Sequence, residues 1–253
     1  MTAAFVPRLF HDGPIEAGRA LPLDADASHH ALRVLRLSIG DSVVVFNGDG
    51  RRWLARILAA DRRGATVDPE MPHRAGTESA LPIVLAQGLP SGDKMDWVIE
   101  KATELGVASI RPLMSARSVA RLDAARAERR LVHWRRVAIA ACMQCGRDRL
   151  PEIAAPRSLA DWLREGAPGC PDGARLLLSP RDAPGLAMLA VTPPPAVTIL
   201  AGPEGGFTDE ETAATRDAGW RPLRLGPRTL RSETAGIAAI AALQAVLGDF
   251  RGP

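Results

Sequence analysis

The sequence predicts an α/β protein in two parts: a small β-rich unit, followed by a mostly parallel sheet covered by helices. Two observations predict this class. Up to about residue 70, short apolar runs alternate with turn-forming residues, as in small β domains. From residue 81, apolar runs suited to buried strands alternate with segments whose apolar residues recur at helical spacing, a pattern typical of parallel sheets.

The β-rich unit contains three predicted strands and one predicted helix. The strands are residues 42–46, 53–58 and 65–67, and the helix is residues 27–37. Residues 68–80 are polar, contain two prolines and a glycine, and lack any periodicity. We therefore expect a domain boundary there, which gives domains 1–72 and 73–253.

The second part alternates strand and helix to its end. Its predicted strands are residues 81–87, 107–113, 175–179, 196–201 and 220–225. Its predicted helices are residues 95–105, 126–143, 158–166, 208–218 and the apolar run 234–247. Ligands of open parallel sheets bind in the loops beyond the carboxyl ends of the strands, so those loops are the candidate site.

Composition and charge exclude several classes of protein. The chain has 253 residues, 46% of them hydrophobic and 24% charged, which excludes wholesale disorder. Three cysteines are too few for a disulfide framework, and neither a secretory signal nor a membrane-spanning run is evident, so we expect a soluble cytoplasmic protein. Between residues 111 and 157, 11 arginines stand against four acids. This stripe fits a phosphate backbone or, alternatively, a solvated helix face.

Two segments that follow predicted strands carry unusual residues. Loop 1, residues 200–207 (LAGPEGGF), has three glycines that let a flat or anionic ligand approach the backbone, and Glu204 adds one charge. Its alternative interpretation is a tight turn without a ligand. Loop 2, residues 225–235 (LGPRTLRSETA), places Arg231 and Glu233 directly before an almost wholly apolar helix. Its alternative is a helix N-terminus at which the macrodipole favours Glu233.

Loops 1 and 2, about 20 residues apart, resemble the corresponding segments of the small-subunit ribosomal RNA uridine-N3 methyltransferases of the SPOUT superfamily. Further similar motifs follow in the family's order: RLF (8–10), HHALRVLRL (29–37), GD (40–41), FNGDG (46–50), GDKMDWVIEKATELGV (92–107), SARSV (115–119) and QCGR (144–147). Each motif alone is weak, whereas the ordered set is specific. The chain departs from the family pattern at Ser91, where lysine is frequent, at Met143, where glutamate is frequent, and at Ser232, where threonine is usual.

The resemblance implies a methyltransferase domain with a trefoil knot, preceded by a PUA-like RNA-binding β-barrel. It further implies a homodimer, S-adenosylmethionine as the cofactor, and methylation of N3 of one uridine in 16S rRNA within the assembled small ribosomal subunit. No metal is expected: the C-x-x-C spacing at 142–145 leaves one further cysteine, and structural zinc needs four ligands.

The same resemblance implies the residues of the site. Those expected to contact the cofactor are Leu178, Leu200, Gly202, Pro203, Glu204, Gly205, Gly206, Leu225, Gly226, Leu230, Ser232, Thr234 and Ala235. Uridine N3 is a poor nucleophile until its proton leaves, so the site must remove that proton or stabilise the anion. We expect Arg231 to supply positive charge to the uridinate. Glu233 is expected to be either its orienting partner or the base.

RNA contact is expected from arginines in both parts of the chain. They are Arg8, Arg33, Arg36, Arg126, Arg129 and Arg147. Three alternative functions remain open: a knotted methyltransferase acting on tRNA or 23S rRNA, an RNA-binding assembly factor without catalysis, and a nucleotide-binding enzyme on a Rossmann-like sheet. The third lacks both a GxGxxG after its first strand and a P-loop lysine.

Overall fold

A computed structural model of the protein describes residues 6–62, 64–74, 76–118, 122–179, 183–187, 189 and 192–252. The chain forms two compact units. The first is Met1–Glu78 together with Ile139–Leu150, and the second is Ser79–Ala138 together with Pro151–Pro253.

A curled sheet forms the first unit. Its strands are β1 (Arg8–Phe10), β2 (Leu21–Pro22), β3 (Ser42–Phe46), β4 (Arg52–Asp61) and β5 (Gly64–His73). The order is β1-β3-β4-β5-β2, in which β1 runs parallel to β3 and the other pairs are antiparallel. Alternate residues of β3 and β4, among them Val45, Trp53 and Ile57, are buried in one core, as expected where one sheet face meets solvent.

Strand β5 corrects the interpretation of residues 68–73 as irregular. These residues continue the strand, because the alternation of buried residues extends from Ala65 and Val67 to Pro69. Proline lacks the N–H that a central strand must donate. Strand β5 accommodates Pro69 and Pro72 because β2 pairs only with Thr66 and Val67.

The predicted helix 27–37 is shorter and less regular than expected. Helix α1 (Ala25–His29) begins after Asp24, whose carboxylate accepts a hydrogen bond from the Ala27 N–H at 2.7 Å. It continues as one π-helical turn, His30–Val34. Arg36 then has a φ of 56°, and this left-handed conformation ends the helical path.

The second unit is a parallel sheet with helices on both faces, which confirms the predicted α/β class. Its strands are β6 (Ile83–Gly88), β7 (Ser109–Met114), β8 (Glu152–Ile153), β9 (Arg157–Ser158), β10 (Ala174–Leu178), β11 (Val197–Ala201) and β12 (Arg221–Leu223). Their order is β12-β10-β11-β6-β7-β8, with β9 also on β7, and the paired strands are parallel. The helices are α2 (Lys94–Glu104), α3 (Ala124–Cys145), α4 (Leu159–Arg164), α5 (Asp209–Asp217) and α6 (Ser232–Val246), followed by the 3-10 turn Asp249–Arg251.

The sheet topology places loops 1 and 2 at one edge. Strands β6, β10, β11 and β12 are parallel neighbours, so their carboxyl ends meet there. After β12, the Arg224 N–H donates to the Pro184 carbonyl at 2.9 Å, so the late segment lies against an earlier one that follows β10. Helix α6 then returns to the middle of the sheet and packs on β6, β11 and α2. A contact between these two segments is expected of the predicted knot.

Candidate cofactor and methyl-transfer site

Loop 1 lies directly against the end of β6. A Cβ on Gly88 would come within 2.6 Å of Pro203 Cδ and 2.8 Å of its backbone nitrogen, so only a glycine permits this approach. On Gly202, a Cβ would meet the Phe207 ring at 3.3 Å. Loop 1 is therefore a compact turn whose glycines let backbone pack on backbone.

The end of loop 1 is held by Arg117, which lies after β7. Its guanidinium donates to the carbonyls of Gly205 at 3.1 Å and Phe207 at 3.3 Å. Thr208 and Glu211 then form a capping box at the start of α5, and Glu211 also accepts the Ala116 N–H at 2.7 Å. Two connections from the segment after β7 thus fix where loop 1 ends.

Glu204 is the charged residue at the tip of loop 1. It accepts hydrogen bonds from the Ser91 hydroxyl at 2.8 Å and from Lys94 Nζ at 2.7 Å. Partial burial opposes ionisation, but the bonds from Lys94, its own backbone and Ser91 prevail and lower the pKa of Glu204 to about 2. The carboxylate is consequently charged at neutral pH.

Lys94 connects loop 1 to loop 2. Its Nζ lies 2.7 Å from Glu204 Oε1 and 3.6 Å from Glu233 Oε2. The side chain reaches both because Lys94 begins α2 and α2 packs against α6, which carries Glu233 in its first turn. The structure therefore brings the two loops together at one ammonium group.

The predicted catalytic pair lies at the start of α6. Arg231 is the N-terminal flanking residue of the helix and is exposed. The Glu233 carboxylate is mostly buried and accepts the Ser232 hydroxyl at 3.0 Å. A hydrogen bond from its own backbone lowers the pKa of Glu233, and Ser232, Lys94 and Arg231 act in the same direction.

Loop 2 leaves much of its main chain available. From Leu225 to Leu230, no backbone N–H or carbonyl enters a backbone hydrogen bond with the residues that the structure describes. Gly226 has a φ of 79°, and a Cβ there would meet nothing within 4 Å. Main-chain groups that make no bond within the described fold can hydrogen-bond water or a ligand.

The residues expected to contact the cofactor differ in exposure. Leu200, Pro203 and Ser232 are buried, and Glu204, Gly205 and Gly226 are exposed. The partly exposed members are Leu178, Gly202, Gly206, Leu225, Leu230, Thr234 and Ala235. The set therefore combines buried residues with residues that are open to solvent.

Sequence reasoning missed Lys94, Arg117 and Trp97 as residues of this region. Trp97 lies one turn after Lys94 on α2 and is 44% exposed. One signal was available: Lys94 is one of two lysines in a chain whose 32 basic residues are otherwise arginines. The contacts of Lys94 with Glu204 and Glu233, 110 and 139 residues away in sequence, follow only from the fold.

The structure corrects two of the expected RNA contacts. Arg8 is 8% exposed and Arg147 is 4% exposed. Arg8 pairs with Asp148 at 2.8 Å, and Arg147 pairs with Glu78 at 2.8 Å. Both guanidinium groups are held inside the first unit, because a buried charge requires a partner, and we assign them a structural role.

Four other expected RNA contacts stay accessible. Arg33 and Arg36 are exposed in the first unit, on and directly after the π-helical turn. Arg126 and Arg129 are exposed on α3.

The departure at Met143 has a packing explanation. Met143 lies against the buried cluster of Phe10, Phe46 and Cys142. Burial raises the pKa of the Cys142 thiol to about 12, so this cysteine is a protonated core residue rather than a thiolate.

Over the described ranges, no group of three His, Cys, Asp or Glu side chains is placed to hold a metal ion, and no helix is long and apolar enough to span a membrane.

Comparison with known families matches both units. The family described as "RNA methyltransferase domain" matches residues 77–244, and "RNA methyltransferase PUA domain" matches residues 23–70. Ribosomal RNA small subunit methyltransferase E of Buchnera aphidicola is 30% identical over 97% of this chain and 96% of its own. The protein of that name from Synechocystis is 34% identical over 87% and 71%.

Solved structures agree with this. A methyltransferase of Legionella pneumophila, in complex with the bound cofactor SAM, is 36% identical with a TM-score of 0.90, covering 97% of this chain and all of the other. Ribosomal RNA small subunit methyltransferase E of Neisseria gonorrhoeae, bound to S-adenosyl methionine, is 33% identical with a TM-score of 0.88 over the same shares. The predicted SPOUT-type and PUA-like folds are thus confirmed, and the chain belongs to the RNA methyltransferase family represented by ribosomal RNA small subunit methyltransferase E.

Proposed function

We propose that this protein transfers a methyl group from S-adenosylmethionine to N3 of one uridine in the 16S rRNA of the small ribosomal subunit. The observation that carries the proposal is the pair of contacts from Lys94 to Glu204 and Glu233, since it joins both family loops in one site. The relatives described above are named as methyltransferases of small-subunit ribosomal RNA, and two of the solved structures contain the methyl donor.

The residues present fit S-adenosylmethionine. Loop 2 offers backbone donors and acceptors that make no backbone hydrogen bond to the described residues, and the glycines of loop 1 let a ligand approach the main chain. Loops 1 and 2, together with Leu178, would hold the cofactor. When bound, S-adenosylmethionine supplies a methyl group made electrophilic by a positively charged sulfur.

Arg231 and Glu233 take different roles in this proposal. The exposed Arg231 guanidinium has no side-chain hydrogen bond to the described residues, so it is available to stabilise negative charge on the uracil oxygens as the N3 proton leaves. A carboxylate whose pKa lies below its usual 4.5 is a weak base. We therefore assign Glu233 the orienting role, in which its charge holds the Lys94 ammonium 3.6 Å away. The N3 proton then passes to solvent water rather than to this carboxylate.

A second copy of the chain is the proposed partner of α6. Glu233 is the single charged residue of this helix. Ala235, Ala238 and Ala242 recur three and four positions apart and remain partly exposed, so they form an uncovered apolar stripe. Burial of this stripe in a homodimer would remove it from water.

Substrate RNA would contact the exposed arginines Arg33, Arg36, Arg126 and Arg129, whose guanidinium groups suit phosphate oxygens. Because small ribosomal subunits are cytoplasmic, we propose that the protein acts in the cytoplasm.

One experiment tests the function. The purified protein is incubated with labelled S-adenosylmethionine and small ribosomal subunits that lack the modification, and the labelled nucleoside is mapped. We expect label in 3-methyluridine at one position of 16S rRNA, with subunits preferred to naked RNA. Label in tRNA or 23S rRNA would contradict the assigned substrate. RNA binding without any transfer would instead favour an assembly factor.

A further inference from the structure

One tryptophan differs from the other four. Trp53, Trp134, Trp162 and Trp220 are at most 2% exposed, whereas Trp97 is 44% exposed. An aromatic ring that is partly open to solvent can stack on a planar ligand. Trp97 lies three residues after Lys94, and the two side chains therefore share one side of α2.

A shallow cavity of about 280 Å³, open to solvent, lies beside this indole, and its volume is just below the roughly 300 Å³ at which ligand pockets begin. Its lining residues are Lys94 and Trp97 from α2, and Glu233 and Thr234 from the first turn of α6. The walls thus combine an aromatic ring, an ammonium, a carboxylate and a hydroxyl. Such a lining suits a planar heterocycle with polar edges better than an aliphatic group.

The Lys94 ammonium has a donor to spare. It carries three N–H donors. One is bonded to Glu204 at 2.7 Å, and Glu233 lies 3.6 Å away, so at least one remains for a group in the cavity. A positive charge there favours an acceptor oxygen, above all one that becomes anionic.

We propose that this cavity is the subsite for the target uracil ring, with Trp97 stacking on the base and Lys94 donating to one of its carbonyl oxygens. The inference rests on the proposed function and deepens it, because it assigns the residues that bind the target base. Loss of the N3 proton places negative charge on the carbonyl oxygens, so Lys94 binds the deprotonated base more strongly than the neutral one.

The test uses the full-length protein with small ribosomal subunits. In Trp97→Ala, we expect kcat/KM for subunits to fall about tenfold, since base stacking on an aromatic ring has that worth. The dissociation constant for S-adenosylmethionine should stay within twofold, and Trp97→Phe should recover most of the loss. Lys94→Gln should lower kcat. Phe250→Ala, which also removes an exposed aromatic side chain, is the matched control and should behave as wild type.

A fluorescence titration tests the same contact and does not depend on methyl transfer. The probe is a short RNA carrying the mapped uridine, compared with the same RNA made abasic at that position. We expect the uridine RNA to quench tryptophan emission more strongly in wild type, and the difference to vanish in Trp97→Phe, because the other tryptophans are buried.

Provided that the wild-type protein methylates subunits, either of two results would overturn the subsite. The first is an unchanged kcat/KM in Trp97→Ala. The second is that Trp97→Ala sediments as a monomer where the wild type is a dimer. The second would assign the indole to a subunit interface. A wild-type protein that transfers no methyl group would instead contradict the proposed function itself.

Discussion

Lys94 shows how one residue can define a site. The chain uses arginine for almost all of its positive charge, yet a lysine stands where Glu204 and Glu233 converge. A guanidinium presents its donors in a rigid plane that matches one carboxylate, whereas an ammonium is a compact charge whose three donors can face separate acceptors. The residue type is therefore matched to a junction of two loops.

Arg231 gives a prediction at the same scale. In Arg231→Ala, the single-turnover rate of methyl transfer should fall about 100-fold, which is the typical effect of removing one donor to a developing oxyanion. Affinity for S-adenosylmethionine, measured by calorimetry, should change little.

Arg221→Ala is the matched control for this variant, because Arg221 is an exposed arginine on β12, outside loops 1 and 2. It should retain the wild-type rate. Near wild-type turnover in Arg231→Ala would remove Arg231 from the proposed mechanism.

At the scale of elements, the contact between β6 and loop 1 depends on Gly88. In Gly88→Ala, the new Cβ would lie 2.6 Å from Pro203, so loop 1 must shift. Overpacking of this kind costs about 1–3 kcal/mol, and we expect the free energy of unfolding in urea to fall by that amount. Binding of S-adenosylmethionine should weaken in parallel.

Gly185→Ala provides the comparison for Gly88→Ala, since a Cβ on Gly185 would meet nothing within 4 Å. Its stability should equal that of wild type. Equal stability and equal cofactor affinity in Gly88→Ala would show that loop 1 does not need this close approach.

Periodicity predicted the long elements well because their burial repeats along the element over several residues. The predicted helix 126–143 corresponds to Ala124–Cys145, and the predicted strand 42–46 is Ser42–Phe46. The short strands β1 and β8 were missed because two or three residues are too few to show a periodic pattern. Prolines hid the second half of β5, although it lies where no neighbouring strand needs their N–H.

The site was predictable in part for a similar reason. Glycine-rich and charged loops are visible in sequence, and Glu204 and Glu233 do meet at Lys94. Whether an arginine is exposed depends on distant partners. Arg8 and Arg147 looked equivalent to Arg33, but Asp148 and Glu78 hold them inside the first unit.

At the scale of the whole molecule, the exposed arginines of the first unit lead to a prediction about RNA affinity. Reversal of Arg33 and Arg36 to glutamate should weaken binding to small ribosomal subunits. It should also reduce the slope of log K against log salt by about one to two, because each phosphate contact contributes nearly one. Filter binding at several salt concentrations measures both quantities.

A double reversal of Arg164 and Arg216 changes the net charge equally and is the control, since both are exposed on other helices. It should lower affinity only slightly. If the two double variants had the same salt slope, RNA would have to bind elsewhere.

The segment 139–150 belongs to the first unit although 60 residues, 79–138, separate it from Glu78. It contributes Asp148, which is 2% exposed and accepts from Arg8 and Arg52, and Cys142, which completes an apolar cluster with Phe10 and Phe46. A fragment of the first unit that ends after β5 would leave Arg8 and Arg52 without their counter-ion. It would also leave the apolar cluster incomplete. Expression of the first unit on its own, or its transfer to another protein, therefore requires segment 139–150 as well. That segment can be supplied as a separate peptide or joined by a linker.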